Sequence, residues 1–287
     1  MTQASLIRAA LFILASELAF ASMGAVIKAA SATVPNEVLV FMRNLFGLII
    51  LLPFLYRTTD CSLRTRRYPL HLLRAVLGVS AMYAFFYVLE HLELAEAFLL
   101  KMTAPIFLPL IAWLWLGERA SKLAVIAVPV GFAGVFLVLD PVGSFQWISL
   151  IGLLGGMLAA GAKIAVRRLT STEPPGRVVF FFALNAGILT TLPMLWSWQT
   201  PTLAEWGWLV LMGGLGTAGQ LLMTRGYAEA PAAHVGPFTY FTVVFAGLYG
   251  YVFWGEVPSG TFLAGALLIA VAGVMAVWKR RPRAPQR

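Results

Sequence analysis

Charged residues are scarce in this chain of 287 residues, where they make up 11% of the sequence against 60% for hydrophobic residues. So few polar groups cannot cover a soluble domain of this size, which excludes an ordinary globular protein. The single cysteine, Cys61, excludes a disulfide within the chain. The three histidines have no cysteines or carboxylates at ligand spacing, and no phosphate-binding glycine motif is present. We therefore expect neither a metal nor another cofactor.

Long apolar runs are what the sequence has in abundance. Each run has about 20 residues, the number that a helix needs to cross a hydrocarbon core of about 30 Å. Barrel strands would be about half as long and would alternate polar with apolar residues. We therefore expect an all-α membrane protein with ten transmembrane helices. The runs lie near 6–28, 37–56, 71–89, 95–116, 122–139, 147–166, 177–197, 206–224, 233–254 and 259–278.

The basic residues concentrate in the predicted loops of one side. With a cytoplasmic N-terminus, all but four of the 21 lysines and arginines lie in cytoplasmic loops or tails, and the outer loops contain none. This positive-inside pattern predicts that both termini are cytoplasmic. Topology and contacts with membrane lipids account for the net charge of +9, so we expect no nucleic-acid partner.

The sequence repeats itself at an offset of 138 to 140 residues. We place the two copies at residues 1–142 and 143–287. Because each copy has five helices, an odd number, the second begins on the opposite side of the membrane, and the repeats are inverted around a central cavity. The matching positions are Phe41, Gly47 and Pro53 with Phe181, Gly187 and Pro193; Gly78 and Ala95 with Gly216 and Ala233; Gly117-Glu118 with Gly255-Glu256; and Gly134-Val135 with Gly273-Val274.

Each copy thus has a Gly-Glu pair after its fourth helix and a Gly-Val pair in its fifth, and alanines cluster where the fourth helices begin, at Ala95–Ala97 and Ala230–Ala233. In these features the whole chain resembles the drug/metabolite transporter superfamily, in its EamA-type branch. The resemblance implies a secondary transporter of the bacterial inner membrane, with helices one, three, four, six, eight and nine around the cavity. Members include exporters of amino acids, notably aromatic ones, and carriers of sugars and nucleotide-like metabolites. No motif of the family specifies the cargo.

Ionisable residues deep in the predicted helices are the first candidates for the site. Glu17 lies near the middle of helix one, where a carboxylate is too short to reach the interface, so we expect it to face the cavity or to pair with a cation. Arg43 and Lys101 lie roughly 8 Å inside their helices, and binding or gating and snorkelling suit both equally. Lys28 and Lys163 lie nearer helix ends, where snorkelling to the interface is the favoured interpretation.

Polar side chains at helical spacing supply the remaining candidates. A hydroxyl stripe runs along helix three, a matching stripe runs along helix eight, and two positions in helix nine align with Lys101 and its neighbour in helix four. We expect these faces to meet at the cavity and to bind the polar ends of a cargo. For Tyr87 with Glu90, an interfacial rim is the alternative, and we expect Phe85 and Phe86 to face lipid. The candidates are Ser80, Tyr83 and Tyr87, Gln220, and Thr239 and Tyr240.

The combined prediction is a monomeric exporter of an aromatic or neutral amino acid that works by alternating access. Uptake of a nucleoside-like or sugar metabolite is the alternative cargo. An intramembrane lipid-modifying enzyme would need His, Asp or Cys residues grouped at one interface, and the sequence lacks such a group, so we expect no enzyme. Proton coupling through Glu17 and facilitated diffusion fit the sequence equally well.

Overall fold

The computed structural model describes residues 3–57, 64–116, 122–139, 146–173, 175–229 and 236–277. These residues form eleven α-helices and one 3₁₀ turn, and none of them forms a strand. Two of the ten apolar runs contain two helical pieces each, so the prediction of an all-helical chain with ten helical segments is confirmed. The helices are α1 (Gln3–Ala30), α2 (Asn36–Arg57), α3 (Tyr68–His91), α4 (Leu94–Lys101), α5 (Ala104–Leu116), α6 (Lys122–Leu139), α7 (Ile148–Thr170), α8 (Pro175–Trp196), α9 (Leu203–Glu229), the 3₁₀ turn (Gly236–Tyr240), α10 (Phe241–Trp254) and α11 (Gly260–Val277).

The outer surface of the helices is apolar, as a lipid-facing surface must be. Five segments are long and apolar enough to cross a membrane, and shorter apolar helices accompany them at Val125–Leu139, Phe238–Trp254 and Gly260–Met275. Large apolar side chains such as Leu114, Ile188 and Leu267 are each more than 60% exposed. A surface of this kind would drive aggregation in water and costs nothing in lipid. The chain is therefore a multi-pass membrane protein.

The fourth apolar run is broken rather than continuous. The helix α4 ends at Lys101, and α5 begins at Ala104 after a two-residue turn. The residue Pro105 has no N–H to continue the ladder of α4 but fits the first turn of a new helix, which places the break just before it. The freed carbonyl of Leu100 accepts the hydroxyl of Thr103 at 2.6 Å and its N–H at 3.1 Å. Sequence periodicity predicted a single helix here, because both pieces are equally apolar.

The ninth run has a corresponding irregularity. Its first turn is a 3₁₀ turn that ends at Tyr240, and the α-helix α10 follows. The regular geometry changes after Lys101 in the fourth run and after Tyr240 in the ninth. At the offset of 138 residues Lys101 aligns with Thr239, so the two changes lie one position apart in the alignment of the two copies. A glycine lies against each irregularity: a Cβ on Gly156 would overlap the hydroxyl of Thr103, and one on Gly273 would overlap the hydroxyl of Tyr240.

Helix packing follows a regular scheme. The main neighbour of α1 is α9 and that of α3 is α7, while α6 packs against α11, α2 against α8 and α4 against α10. The largest hydrophobic cluster joins the last turns of α1 and α3 with the first turns of α2 and α4. Ala30, Val34, Leu92 and Leu94 in this region are at most 4% exposed, so this end of the bundle is tightly packed. The predicted boundary between the copies, residues 142–143, lies outside the described residues.

Candidate substrate cavity

A cavity of about 450 Å³ lies in the middle of the bundle. The helices α1, α3 and α7 and the residues around the break between α4 and α5 form most of its wall, with one residue from α2 and two each from α9, the 3₁₀ turn and α11. Six of the predicted site residues line it: Glu17, Arg43, Lys101, Gln220, Thr239 and Tyr240. The rest of the wall is mainly apolar or glycine. The cavity therefore combines a hydrophobic lining with a few polar and charged groups, the usual make-up of a small-molecule site.

The other three predicted residues are placed elsewhere. None of Ser80, Tyr83 and Tyr87 is among the lining residues. The carbonyl of Tyr83 accepts a hydrogen bond from Asn36 of α2, and its ring packs against the core. The ring of Tyr87 contacts the tilted ring of His91, with 4.2 Å between the two centroids. The face of α3 that does meet the cavity carries Gly78, Ala81, Met82, Phe85 and Phe86.

The carboxylate of Glu17 is the one negative group among the lining residues of the described chain. Its side chain lies on α1 and is 4% exposed. It interacts electrostatically with Lys101 from α4 and Lys163 from α7, and its carboxyl group lies beside the hydroxyl of Thr242. No ion pair within 4.0 Å joins Glu17 to either lysine. The three charged groups thus all border the cavity without forming a direct ion pair with one another.

Aromatic rings surround the ammonium group of Lys101. Its Nζ lies 4.5 Å from the ring centroid of Phe85, 5.3 Å from that of Phe98 and 5.7 Å from that of Phe20. Cation–π contacts of this kind hold a cation in place at membrane depth without neutralising its charge. The expectation that Phe85 and Phe86 face lipid is wrong, since both are buried at the cavity wall. Composition alone could not separate these two faces of α3, because the lipid and the cavity wall are both apolar.

Lys163 lines the cavity, although the sequence did not lead us to expect it there. Snorkelling was the favoured interpretation, but its side chain is exposed in the cavity and interacts with Glu17. A signal was present in the sequence: Gly152, Gly155, Gly156, Ala159 and Lys163 recur at helical spacing, and all five line the cavity. The small residues let the break between α4 and α5 approach α7, and the lysine lies one turn further along the same face.

Arg43 enters from α2 and is the third cation of the wall. Its Nη1 lies 3.5 Å from Oδ1 of Asn44, a long and weak contact. It also interacts electrostatically with Arg74 of α3, whose guanidinium lies 3.3 Å from the ring centroid of Phe182. No carboxylate of the described chain forms an ion pair with Arg43 within 4.0 Å. Two guanidinium groups therefore lie near one another on one side of the cavity.

A second charged site closes the tightly packed end of the bundle. Nζ of Lys28, at the end of α1, lies 2.6 Å from Oε1 of Glu256, which follows α10. Oε2 of Glu256 accepts the N–H of Leu94 at 2.7 Å, and Lys28 also donates to the carbonyl of Leu92. The expectation that Lys28 snorkels to the interface is therefore wrong. We call this set of contacts, formed by Lys28, Leu92, Leu94 and Glu256, the latch.

The Gly-Glu pair of the second copy supplies the latch. Gly255 has φ of 69° and ends α10 in the left-handed region, where a side chain would be strained. Its N–H bonds to the carbonyl of Tyr251, and that of Glu256 bonds to the carbonyl of Gly250, which turns the chain so that Glu256 reaches back across the helix ends. The glycine is thus required by the turn and the glutamate by the ion pair. The pair in the first copy, Gly117-Glu118, lies outside the described residues.

Comparison with known proteins identifies the family. The sequence profile of the EamA-like transporter family matches the chain twice, over residues 7–140 and 146–278. A pseudopaline exporter of Pseudomonas aeruginosa is 34% identical over 257 residues, which cover 88% of this chain and 90% of the relative. A riboflavin transporter of Vibrio cholerae is 29% identical over 274 residues, covering 93% and 91%. An S-adenosylmethionine uptake transporter of Rickettsia bellii is 25% identical over 242 residues, covering 84% and 83%.

A solved crystal structure shares the fold, with a TM-score of 0.61 at 19% identity over 96% of this chain and 97% of that one. The two profile matches together span nearly all of the sequence, and they meet at the connection between α6 and α7. The relatives named above are all transporters. This chain belongs to the EamA-like transporter family and is a membrane transporter.

Proposed function

We propose that this protein is a secondary transporter of the inner membrane that exports a small metabolite of the amino-acid type. The observation that carries the proposal is the cavity at the middle of the bundle, in which Glu17, Arg43, Lys101 and Lys163 meet. Each ionisable side chain at this depth costs at least about 2.5 kcal/mol, so four that line one cavity indicate a binding function. A volume of about 450 Å³ suits a molecule of amino-acid size.

Transport proceeds in this proposal by alternating access between two inverted repeats, residues 1–142 and 143–287. The packing supports a twofold relation: α1 pairs with α9 as α7 pairs with α3, and α3 packs on α8 as α9 packs on α2. In each of these comparisons, every helix of the first pair is the counterpart, in the other copy, of a helix in the second pair. The two profile matches and the irregularities at Lys101 and Tyr240 support the same relation. Rocking of one repeat against the other would then expose the cavity to each side in turn.

The positive-inside pattern supports cytoplasmic termini, which assigns the latch to the outer face. In this orientation the ion pair of Lys28 and Glu256 closes the path between the cavity and the outside medium. Opening this path requires the ion pair and the bond to Leu94 to separate. Export is the proposed direction, and the relative from Pseudomonas aeruginosa, named as an exporter, supports it.

The test is counterflow in proteoliposomes, with the purified protein and a panel of radiolabelled amino acids and their derivatives. Glu17→Gln and Lys101→Met should each lower exchange by about tenfold or more, because each removes a charged partner of the cargo in a low-dielectric cavity. Arg66→Met, which removes an exposed cation of the loop before α3, is the matched control and should exchange at the wild-type rate. If both single variants, Glu17→Gln and Lys101→Met, exchanged cargo at the wild-type rate, the proposed site would be refuted.

A further inference from the structure

We propose that the cargo carries at least two carboxylate groups. The inference rests on the proposed transport function and deepens it, since it concerns what the same cavity binds. Its basis is the charge of the side chains that line the cavity. Among the lining residues of the described chain, Arg43, Lys101 and Lys163 are cationic and Glu17 is anionic, which leaves a formal excess of two positive charges.

Among the residues that the structure describes, no second acidic side chain lines the cavity to balance this excess. Glu96 accepts a hydrogen bond from Ser149 at 2.8 Å, and Glu256 is engaged by Lys28 and Leu94 in the latch. Neither lines the cavity. Arg74, beside Arg43, adds a further positive charge just outside the wall. The cavity is therefore an electropositive space with one carboxylate in it.

Unbalanced charge in a low-dielectric space is costly, and a bound counter-charge recovers that cost. A neutral or aromatic amino acid brings one carboxylate and one ammonium group, so it leaves the excess of two unchanged. A second carboxylate on an amino acid lowers the excess to one, and two carboxylates without an amine cancel it. We therefore replace the neutral cargo expected from the family resemblance by an acidic one.

The positions of the charges support separate roles for them. Glu17 interacts electrostatically with both Lys101 and Lys163, and its carboxylate can accept an ammonium group of the cargo. Lys101 is fixed by three aromatic rings and so presents its charge at a defined point. Arg43 approaches from a different helix, α2, and its planar guanidinium suits a second carboxylate. The distribution of cations around the cavity thus fits a cargo whose acidic groups lie on different sides.

The experiment compares pairs of cargos that differ only in charge. Proteoliposomes are preloaded with unlabelled compound, and counterflow of radiolabelled glutamate, glutamine, aspartate, asparagine and succinate is measured in one buffer. The same compounds are tested for their effect on the thermal unfolding temperature of the detergent-purified protein, which reports binding without transport. The inference predicts that each acid exchanges at least about tenfold faster than its amide, a ratio within the range for one interaction with a charged group.

Variants that lack one of the cavity cations provide the second test. Lys101→Met and Lys163→Met should lower the preference for glutamate over glutamine, and Arg66→Met should leave it at the wild-type value. Equal exchange and equal thermal shifts for acid and amide would overturn the inference while leaving a transporter of amino acids in place. Exchange of succinate without exchange of any amino acid would uphold the inference and refute the amino-acid cargo. Absence of a thermal shift with every acid would overturn the inference.

Discussion

The ammonium group of Lys28 lies 2.6 Å from a carboxylate oxygen of Glu256, and this contact joins the end of α1 to the end of α10. The second oxygen of the same carboxylate accepts the N–H of Leu94, so one side chain holds three helices together. Both side chains are only 12% exposed. An ion pair with this little exposure is costly to break from one side, because the remaining partner is left without a counter-charge.

Glu256→Gln should open this end of the bundle. The amide cannot balance the charge of Lys28, so states in which the helix ends separate become more populated. We expect a cysteine at Ala81, in a Cys61→Ser background, to react at least about tenfold faster with a membrane-impermeant maleimide added outside spheroplasts, a change that corresponds to about 1.4 kcal/mol.

Two controls accompany the labelling experiment. Glu90→Gln changes an exposed carboxylate at the end of α3 and should leave the labelling rate at the wild-type value. A cysteine at the exposed position Gln199 reports whether the reagent reaches the outer surface. Unchanged labelling of the Ala81 position in Glu256→Gln, with the Gln199 position labelled normally, would show that the latch does not hold this end closed.

Gly250→Ala tests the latch without removing a charge. A Cβ at this position would overlap Oε2 of Glu256, so the carboxylate must move away from Leu94. We expect the faster labelling seen with Glu256→Gln, though to a smaller extent. Gly247→Ala, one turn earlier on α10, is the matched control, because its Cβ would meet nothing closer than Ala95 at 3.7 Å. Equal labelling rates in the two alanine variants would contradict the assigned position of the carboxylate.

Gly156→Ala should destabilise the break between α4 and α5. The added methyl group would overlap the hydroxyl of Thr103 and lie 3.0 Å from the carbonyl of Leu100, and backbone atoms cannot give way as a flexible side chain can. We expect a loss of about 1–3 kcal/mol, the usual cost of overpacking, measured as a lower thermal unfolding temperature in detergent. Gly187→Ala, where nothing lies within 4 Å, should show no such loss.

The carboxylate of Glu173, in the turn between α7 and α8, predicts a dependence of stability on pH. Burial acts to raise its pKa, but hydrogen bonds from Thr65 and His71 and the charges of His71 and Arg177 outweigh burial and hold the pKa below its usual value. Its contact with His71 measures 2.7 Å. A carboxylate whose pKa is lower in the folded than in the unfolded protein stabilises the fold. This stabilisation is complete above the unfolded pKa of about 4.3, and it is lost as the pH falls through the folded pKa.

The corresponding measurement is thermal unfolding between pH 7 and pH 3. Wild-type protein should lose stability as the pH falls through this acidic range, and Glu173→Gln should lose less, since its amide has no proton to gain. Glu90→Gln should keep the wild-type profile. A wild-type profile in Glu173→Gln would show that the carboxylate does not contribute in this way.

The sequence predicted the helical segments well and their interruptions poorly. The lengths of the apolar runs identified ten segments, because the thickness of the hydrocarbon core fixes that length. The break after Lys101 was not predicted, since hydropathy does not register a change in backbone geometry. Pro105 was a correct local signal, but a proline in a membrane helix is also compatible with a kink.

The residues that line the cavity were predicted only in part, for a similar reason. Glu17 and Lys101 were found because a charge deep in an apolar run has few explanations other than function. Lys163 and Lys28 were assigned to snorkelling because both lie near a helix end, although for Lys163 the small residues on the same face of α7 were a signal that it faces the cavity. Ser80, Tyr83 and Tyr87 were chosen by polarity and spacing, whereas the wall of the cavity on that helix is formed by glycine, alanine, methionine and phenylalanine.

The sequence by itself determined that this chain is a multi-pass membrane protein with ten helical segments and that ionisable groups lie among them, because the cost of exposing polar backbone and charge to lipid depends on local composition. Only the tertiary structure decided which of these groups share a cavity and which close one end of the bundle. Lys28 and Glu256 are far apart along the chain and meet only when α1 packs beside α10. Lipid and a cavity wall favour the same apolar residues, so which helix faces which surface depends on packing between distant segments.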